Sequence, residues 1–156
     1  MIPTAAGFLV FIRQQMGIST AVLPDASPYV GWAFDVALEI VNLQLDCISP
    51  LIYSLAVYNL AADNLINYAQ DLPNAPIVPG SEPAAPFFQA LRESWDITGF
   101  VPGVISSSAD VSTSESLLVP DFMKGLTLAN LQNLKSPYGR AYLAFAQSAG
   151  TNWGLS

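Results

Sequence analysis

The sequence predicts a mainly α-helical fold: a small bundle of about four or five helices in one domain, with one β-hairpin and an extended C-terminal tail. Two observations indicate the helices. Apolar side chains recur at helical spacing through most of the 156-residue chain, which places them on one side of a helix. The dipeptide Ser-Pro also precedes three of these segments. A serine accepts a hydrogen bond from a free N–H at a helix start, where proline has no N–H to lose.

The same patterns place each helix along the chain. Pro3 suits the start of the first helix and Gly17 suits its end. The second, third and last helices each follow a Ser-Pro pair. A junction of about three residues joins the second to the third, which predicts antiparallel neighbours. The predicted helices span residues 3–16, 28–46, 50–70, 86–95 and 137–148, with a shorter helical segment near 126–134.

Helical spacing also predicts which side chains face the core. The second helix is expected to bury Val30, Phe34, Ala37, Leu38, Val41 and Leu45. The third is expected to bury Leu51, Leu55, Tyr58, Ala62, Leu65 and Ala69, with a polar opposite face of Asn59, Asp63, Asn67 and Gln70. Trp32, Trp95 and Cys47 have apolar neighbours in the sequence and are also assigned to the core.

Three segments interrupt the helical pattern. Residues 72–86 contain five prolines and are predicted to form an extended loop. Residues 104–118 are rich in serine and β-branched residues and predict a hairpin. Its alternation is weak, so the hairpin either packs on this domain or pairs with a neighbouring subunit. Residues 150–156 form a tail beyond the last helix, and Trp153 there is a candidate docking anchor.

The composition indicates a protein that covers part of its surface with a partner. Charged residues make up 11% of the chain and hydrophobic residues 52%, whereas about a quarter of a soluble domain is usually charged. So much apolar surface in a chain of this size predicts contact with another chain or with a membrane. An uncharged stretch of sixteen residues, Cys47–Ala62, is shorter than the about 20 that a spanning helix needs.

The net charge of −7 and the missing residue types exclude several functions. Only five side chains are positive, so the basic surface that binds nucleic-acid phosphates or anionic lipids is lacking. The chain has no histidine, one cysteine and no phosphate-binding G-x-x-x-x-G-K segment. We therefore expect no enzymatic activity, no catalytic residue, no metal and no cofactor.

Three acidic residues are predicted to share one face of the second helix. Asp35, Glu39 and Asp46 lie at positions i, i+4 and i+11. Three interpretations stay open: a metal or acid–base site, a solvated polar face, or a stripe that lines a central channel in a ring. Arg140 is either a surface side chain or the salt-bridge partner of an acidic stripe, in this chain or in a neighbouring subunit.

Several short segments follow one another in an order that resembles one protein family. Gly103-Val104 leads into a serine-rich stretch from Ser106 to Ser116, and the last helix opens with Ser136-Pro137-Tyr138-Gly139, followed by Tyr142-Leu143. The alanine-rich segment Ser54–Leu65 precedes them. This order resembles the small head–tail connector (adaptor) proteins of tailed bacteriophages, the helical-bundle kind that docks under the portal. The resemblance covers about two thirds of the chain, from about residue 28 onward.

The resemblance implies a structural virion protein of the neck, assembled in the host cytoplasm. It implies a ring of about twelve copies that binds the portal on one side and a tail, tail-terminator or nozzle protein on the other. DNA would pass through this ring without specific binding. The intersubunit hairpin would use Val104, Ile105, Ser108, Asp110 and Val111, and the portal-docking tail would use Gly150, Trp153, Gly154, Leu155 and Ser156. The alternatives are another oligomeric virion structural protein or a membrane-associated helical protein.

Overall fold

The computed structural model describes residues 2–73, 78, 86–99, 104–107, 116–118 and 128–148. The described part of the chain is mainly helical, which confirms the predicted class. Its helices are α1 (Ala5–Gln14), α2 (Pro28–Ile40), α3 (Gln44–Ile48), α4 (Pro50–Tyr68), α5 (Phe87–Ser94), α6 (Leu128–Asn133) and α7 (Pro137–Ser148). Its strands are β1 (Val104–Ser107) and β2 (Ser116–Leu118).

Helix α4 is the centre of the fold. It packs most extensively against α7 and α2, and also contacts α3, α5 and α1. Three alanines of α4, Ala56, Ala61 and Ala62, are fully buried, and their small side chains let the neighbouring helices approach closely. The face predicted to be polar is buried in part, since Asn59 is 7% exposed and Asp63 only 1%, whereas Asn67 is half-buried and Gln70 is exposed. Helix α7 packs on α4, and its capping serine bonds to the buried Asp63.

The Ser-Pro pairs start helices as predicted. Helices α2, α4 and α7 begin at Pro28, Pro50 and Pro137. The Ser49 hydroxyl accepts from the Ile52 N–H, and the Ser136 hydroxyl accepts from the Gly139 N–H at 2.9 Å. Ser27 makes no side-chain cap to α2 within the described residues.

The predicted second helix, 28–46, is two helices. Helix α2 ends at Ile40, and Val41 is extended, with φ −71° and ψ 124°. The Asn42 side chain accepts a hydrogen bond from the Gln44 N–H at 2.9 Å and so starts a new turn, because asparagine competes for backbone hydrogen bonds. The apolar spacing runs through this break, since Val41 and Leu45 are both buried. Periodicity alone therefore concealed the break.

A reciprocal pair of contacts joins α4 to α5 (predicted 86–95). The Asp71 carboxylate, just beyond α4, accepts from the Phe88 and Gln89 N–H groups at 2.9 and 3.0 Å. In return, Arg92 of α5 donates to carbonyl oxygens at the end of α4, including those of Ile66 and Ala69 at 3.0 and 2.9 Å. Each charge therefore meets the helix end whose dipole favours it.

The loop after α1 is held by one arginine. Gly17 has φ +68°, a left-handed conformation that glycine adopts readily, and the Ile18 N–H beyond it donates back to the Ile12 carbonyl at 3.2 Å. Arg13 then donates to the carbonyl oxygens of Ile18 and Leu23, each at 2.7 Å, and pairs with Asp25. The predicted turn at Gly17 is therefore confirmed, although α1 itself ends at Gln14 and not at the predicted residue 16.

The two strands pair antiparallel, with Val104 opposite Leu118 and Ile105 opposite Leu117. The connecting residues 108–115 lie outside the described residues, so the hairpin over 104–118 as a whole stays a prediction. Most of the loop predicted at 72–86 and the whole tail predicted at 150–156 also lie outside them.

A close approach between α6 and α7 generates the first testable prediction. A Cβ added to Gly139 of α7 would overlap the backbone of Asn133 in α6. The overlap could be relieved only by moving the two helices apart. We expect Gly139→Ala to lower the free energy of unfolding by about 1–3 kcal/mol, measured by urea denaturation.

The matched control is Gly31→Ala in α2, where nothing lies within 4 Å of the added Cβ. Alanine there should stabilise the chain by about 0.5–1 kcal/mol through helix propensity. Equal effects of the two substitutions would contradict the close contact between α6 and α7.

Candidate functional site

An exposed apolar strip runs along α2. Trp32, Val36 and Ile40 lie four residues apart, hence on one face, and are 64%, 46% and 56% exposed. Tyr68 of α4 stands across from them and is 65% exposed. The assignment of Trp32 to the core was therefore wrong. Its ring contacts Tyr29 edge-on, with ring centroids 5.9 Å apart.

Between this strip and α4 lies an open cleft, here called the α2–α4 cleft. One part encloses about 120 Å³ between Trp32 and Tyr68, and the next about 180 Å³ between Ile40 and Tyr68. Val36, Asn64 and Tyr68 line both parts, so the two parts are adjacent.

Asn64 supplies an unused hydrogen-bond donor to this cleft. Its Nδ2 is buried and has no hydrogen-bond partner among the described residues. The other asparagines of α4 differ, since Asn59 donates to the Leu55 carbonyl at 2.8 Å and Asn67 to the Asp63 carbonyl at 2.9 Å. A buried donor without a partner costs about 1–3 kcal/mol. An acceptor that entered the cleft would recover that energy.

The three acidic residues do not form one helical stripe. Asp35 and Glu39 are exposed on α2, three residues after Trp32 and Val36, so they border the apolar strip. Asp46 is also exposed but belongs to α3, beyond the break at Val41. The prediction of one face shared by all three was wrong. No group of three or more His, Cys, Asp or Glu side chains could hold a metal ion within the described residues.

A second apolar surface lies between α1, α4 and α7, and is called the α1–α4–α7 groove. It has a volume of about 590 Å³, and Val10, Leu51, Tyr58, Tyr138 and Phe145 contribute to its lining. Val10 and Leu51 are 52% and 57% exposed. The assignment of Leu51 to the core was therefore wrong. Leu51 lies in the first turn of α4, and α7 covers a later part of that helix.

A buried carboxyl group, that of Asp63, links α7 to α4. Asp63 accepts a hydrogen bond from the Ser136 hydroxyl, which itself accepts from Gly139 at the start of α7. Asn67 donates to the other Asp63 oxygen at 3.2 Å. Burial raises the pKa of Asp63 from 3.8 to about 6, although the Ser136 hydrogen bond and the Lys135 charge lower it. Asp63 therefore connects the two helices, and its burial favours the protonated, uncharged form of the carboxyl.

The remaining predicted site residues divide between described and undescribed parts. Val104 and Ile105 lie in β1, whereas Ser108, Asp110, Val111 and all the tail residues, Gly150, Trp153, Gly154, Leu155 and Ser156, lie outside the described residues. Arg140 is exposed and donates to the Leu134 carbonyl at 3.0 Å. Within the described residues the sole ion pair joins Arg13 to Asp25, so Arg140 pairs with no described carboxylate of its own chain. Cys47, predicted to be buried, is exposed at α3.

Comparisons with known proteins add no assignment. No family model, no curated protein and no solved structure matches the chain. Among the described residues, no helix is both long enough and apolar enough to cross a bilayer.

The raised pKa of Asp63 predicts how stability depends on pH. Because the folded-state pKa of about 6 exceeds the ordinary value of 3.8, folding favours the protonated carboxyl. This contribution is present near pH 4 and is lost as the pH rises through about 6. Asp63→Asn should therefore gain stability relative to the natural chain between pH 4 and 7, by roughly 2 kcal/mol in the free energy of unfolding.

Ser136→Ala is the control for this prediction. It removes a hydrogen bond that favours the charged carboxylate of Asp63, so the pKa of Asp63 should rise further. The loss of stability with rising pH should therefore persist and extend to higher pH. It should also cost about 1 kcal/mol for the lost helix cap. A difference between Asp63→Asn and the natural chain that stays constant from pH 4 to 7 would contradict the account.

Proposed function

We propose that this chain is a head–tail connector of a tailed bacteriophage. About twelve copies would form a ring below the portal, link the capsid to the tail and leave a channel for DNA. The protein would be a structural component of the virion neck with no enzymatic role. The order of segments from Gly103 to Gly139 suggests this family, and the exposed surfaces of the described fold support the role.

The observation that carries the proposal is the presence of two separate apolar surfaces. The α2–α4 cleft and the α1–α4–α7 groove both border α4, but their exposed apolar side chains lie on different helices. Those of the cleft lie mainly on α2, whereas those of the groove include Val10 of α1 and Leu51 at the start of α4. Exposed apolar patches on a small protein usually mark binding surfaces. A connector needs more than one of them, because it must hold its neighbours in the ring and also bind the proteins above and below.

The ring contact is proposed to form at the α1–α4–α7 groove. The two-stranded pairing of β1 with β2 would extend between subunits, because a lone hairpin is only marginally stable in water. The exposed Arg140 sits on α7 beside groove residues Tyr138 and Ala141. We propose that it pairs with a carboxylate of the neighbouring copy.

The charge of the chain suits a channel for DNA. A net charge of −7 per copy repels phosphates rather than binding them. DNA could then pass through the ring without being held. Another oligomeric virion protein would share the apolar surfaces, and binding to the portal separates it from a connector.

Substitution in the groove tests assembly. Leu51→Lys places a charge in the proposed ring contact, where an unpaired buried ammonium costs several kcal/mol. We expect this variant to stay monomeric by size-exclusion chromatography with light scattering, under conditions in which the natural chain assembles alone or on a portal.

Ile48→Lys is the matched control, since Ile48 is 60% exposed on α3 and does not line the groove. It should assemble like the natural chain. Normal assembly of Leu51→Lys would remove the groove from the ring contact, and a natural chain that stays monomeric with a portal present would refute the connector function.

Removal of the tail tests portal docking separately. Deleting residues 150–156 should abolish binding to the portal, because the proposed anchor Trp153 is lost. Helical content by circular dichroism should be unchanged, since α7 ends at Ser148. Unchanged portal binding by the shortened chain would show that the tail is not the anchor.

A further inference from the structure

We propose that the α2–α4 cleft binds a basic amphipathic helix of a different protein. The cleft combines an apolar strip, an acidic border and one buried donor without a partner among the described residues. Each of these features specifies one property of the occupant. The inference does not depend on the connector function, because it uses only contacts and charges of the described residues.

The shape and chemistry of the cleft suit a helix. Its long walls are α2 and α4, and Asn133 of α6 and Tyr142 of α7 close the end near Ile40. Along α2, the strip of Trp32, Val36 and Ile40 presents an apolar side chain at every turn. An amphipathic helix laid along such a groove inserts side chains at positions i, i+4 and i+7. Trp32 and Tyr68 are the aromatic residue types that dominate binding energy in interfaces.

The charge at the border selects a basic occupant. Asp35 and Glu39 are exposed along the edge of the strip. Among the described residues, the lining of the cleft includes no lysine or arginine. Lysine or arginine on the flank of the occupant would meet these carboxylates at the rim, which would increase the association rate and the selectivity.

A second copy of this chain is a poor match for the same surface. Of its five positive side chains, Arg13 and Arg92 already donate to carbonyl oxygens of their own chain, and Arg140 lies beside Ala141 of the α1–α4–α7 groove, where we place the ring contact. Lys135 lies close enough to Asp63 to lower the pKa of that carboxyl, and Lys124 lies outside the described residues. A second copy that met this cleft through its own cleft would also bring like charges together, since Asp35 and Glu39 border both surfaces. The charge pattern therefore favours a different, basic partner.

Asn64 favours an occupant that offers a hydrogen-bond acceptor. Its Nδ2 is buried where both parts of the cleft meet and has no described partner. A hydroxyl or carbonyl oxygen on the occupant would accept this hydrogen bond. An oxygen at that point would raise affinity more than a methyl group of similar size, because the methyl group would leave the donor unsatisfied.

A displayed library of helical peptides tests the proposal. All members carry apolar side chains at i, i+4 and i+7, and the flanking positions vary freely between lysine, glutamate and glutamine. Selection on the natural chain should enrich peptides with net positive charge. Labelled forms of the enriched peptides are then titrated by fluorescence anisotropy against the natural chain and its variants.

The variants separate the three features of the cleft. Trp32→Ala should weaken binding about 30-fold or more. Asp35→Asn with Glu39→Gln should weaken it about three- to tenfold, with the difference shrinking at high salt. Asn64→Ala should weaken binding without lowering the stability of the free chain, since it removes a donor that has no described partner. Leu51→Ala, an equivalent truncation in the α1–α4–α7 groove, should leave binding unchanged.

Several results would overturn the proposal. These are the absence of any enriched peptide, enrichment of neutral or acidic peptides, and full binding to Trp32→Ala. A further one is protection of Trp32 by self-association of the purified chain, which would make the cleft a contact between copies. Loss of ring formation in the groove variant Leu51→Lys, with peptide binding retained, would separate this inference from the connector function.

Discussion

The fold depends on the burial of α4 from several sides at once. The apolar side chains of α4 are covered by α2 and α7, and its one buried carboxylate, Asp63, is bonded to the Ser136 that caps α7. The close approach of Gly139 to Asn133 then positions α7 against the end of α6. Because the buried faces of α4 carry small alanines, the neighbouring helices pack close to it, and short helices are enough to complete the core.

The exposed surfaces follow from this arrangement. Helix α2 is apolar over most of its circumference, but α4 can cover only one side of it. Trp32, Val36 and Ile40 are therefore left exposed to solvent as a strip. Asp35 and Glu39 lie beside this strip on the surface of α2. Leaving so much apolar area in water favours association. The low charge of the chain therefore reflects surfaces that we propose are covered by partners.

Local rules predicted the helices well, and long-range contacts were beyond their reach. The Ser-Pro starts and the buried residues of α2 could be read from neighbours in sequence, because capping and helical spacing act over a few residues. Asp63 and Ser136 are far apart in the chain, so nothing in the sequence showed that they bond. The strip at Trp32 has the spacing of a core face, and only the packing of α4 shows that it lies outside. The pattern concealed the break at Val41 because the apolar residues continue through it.

The central claim is that the two apolar surfaces serve different partners in a ring-shaped connector. Cryo-electron microscopy of the chain mixed with a phage portal tests it most directly. The account predicts a ring of about twelve copies under the portal, with the α1–α4–α7 groove buried between neighbours and the α2–α4 cleft outside that contact. A chain that remains monomeric beside the portal, or a ring whose subunits meet through the cleft, would contradict it.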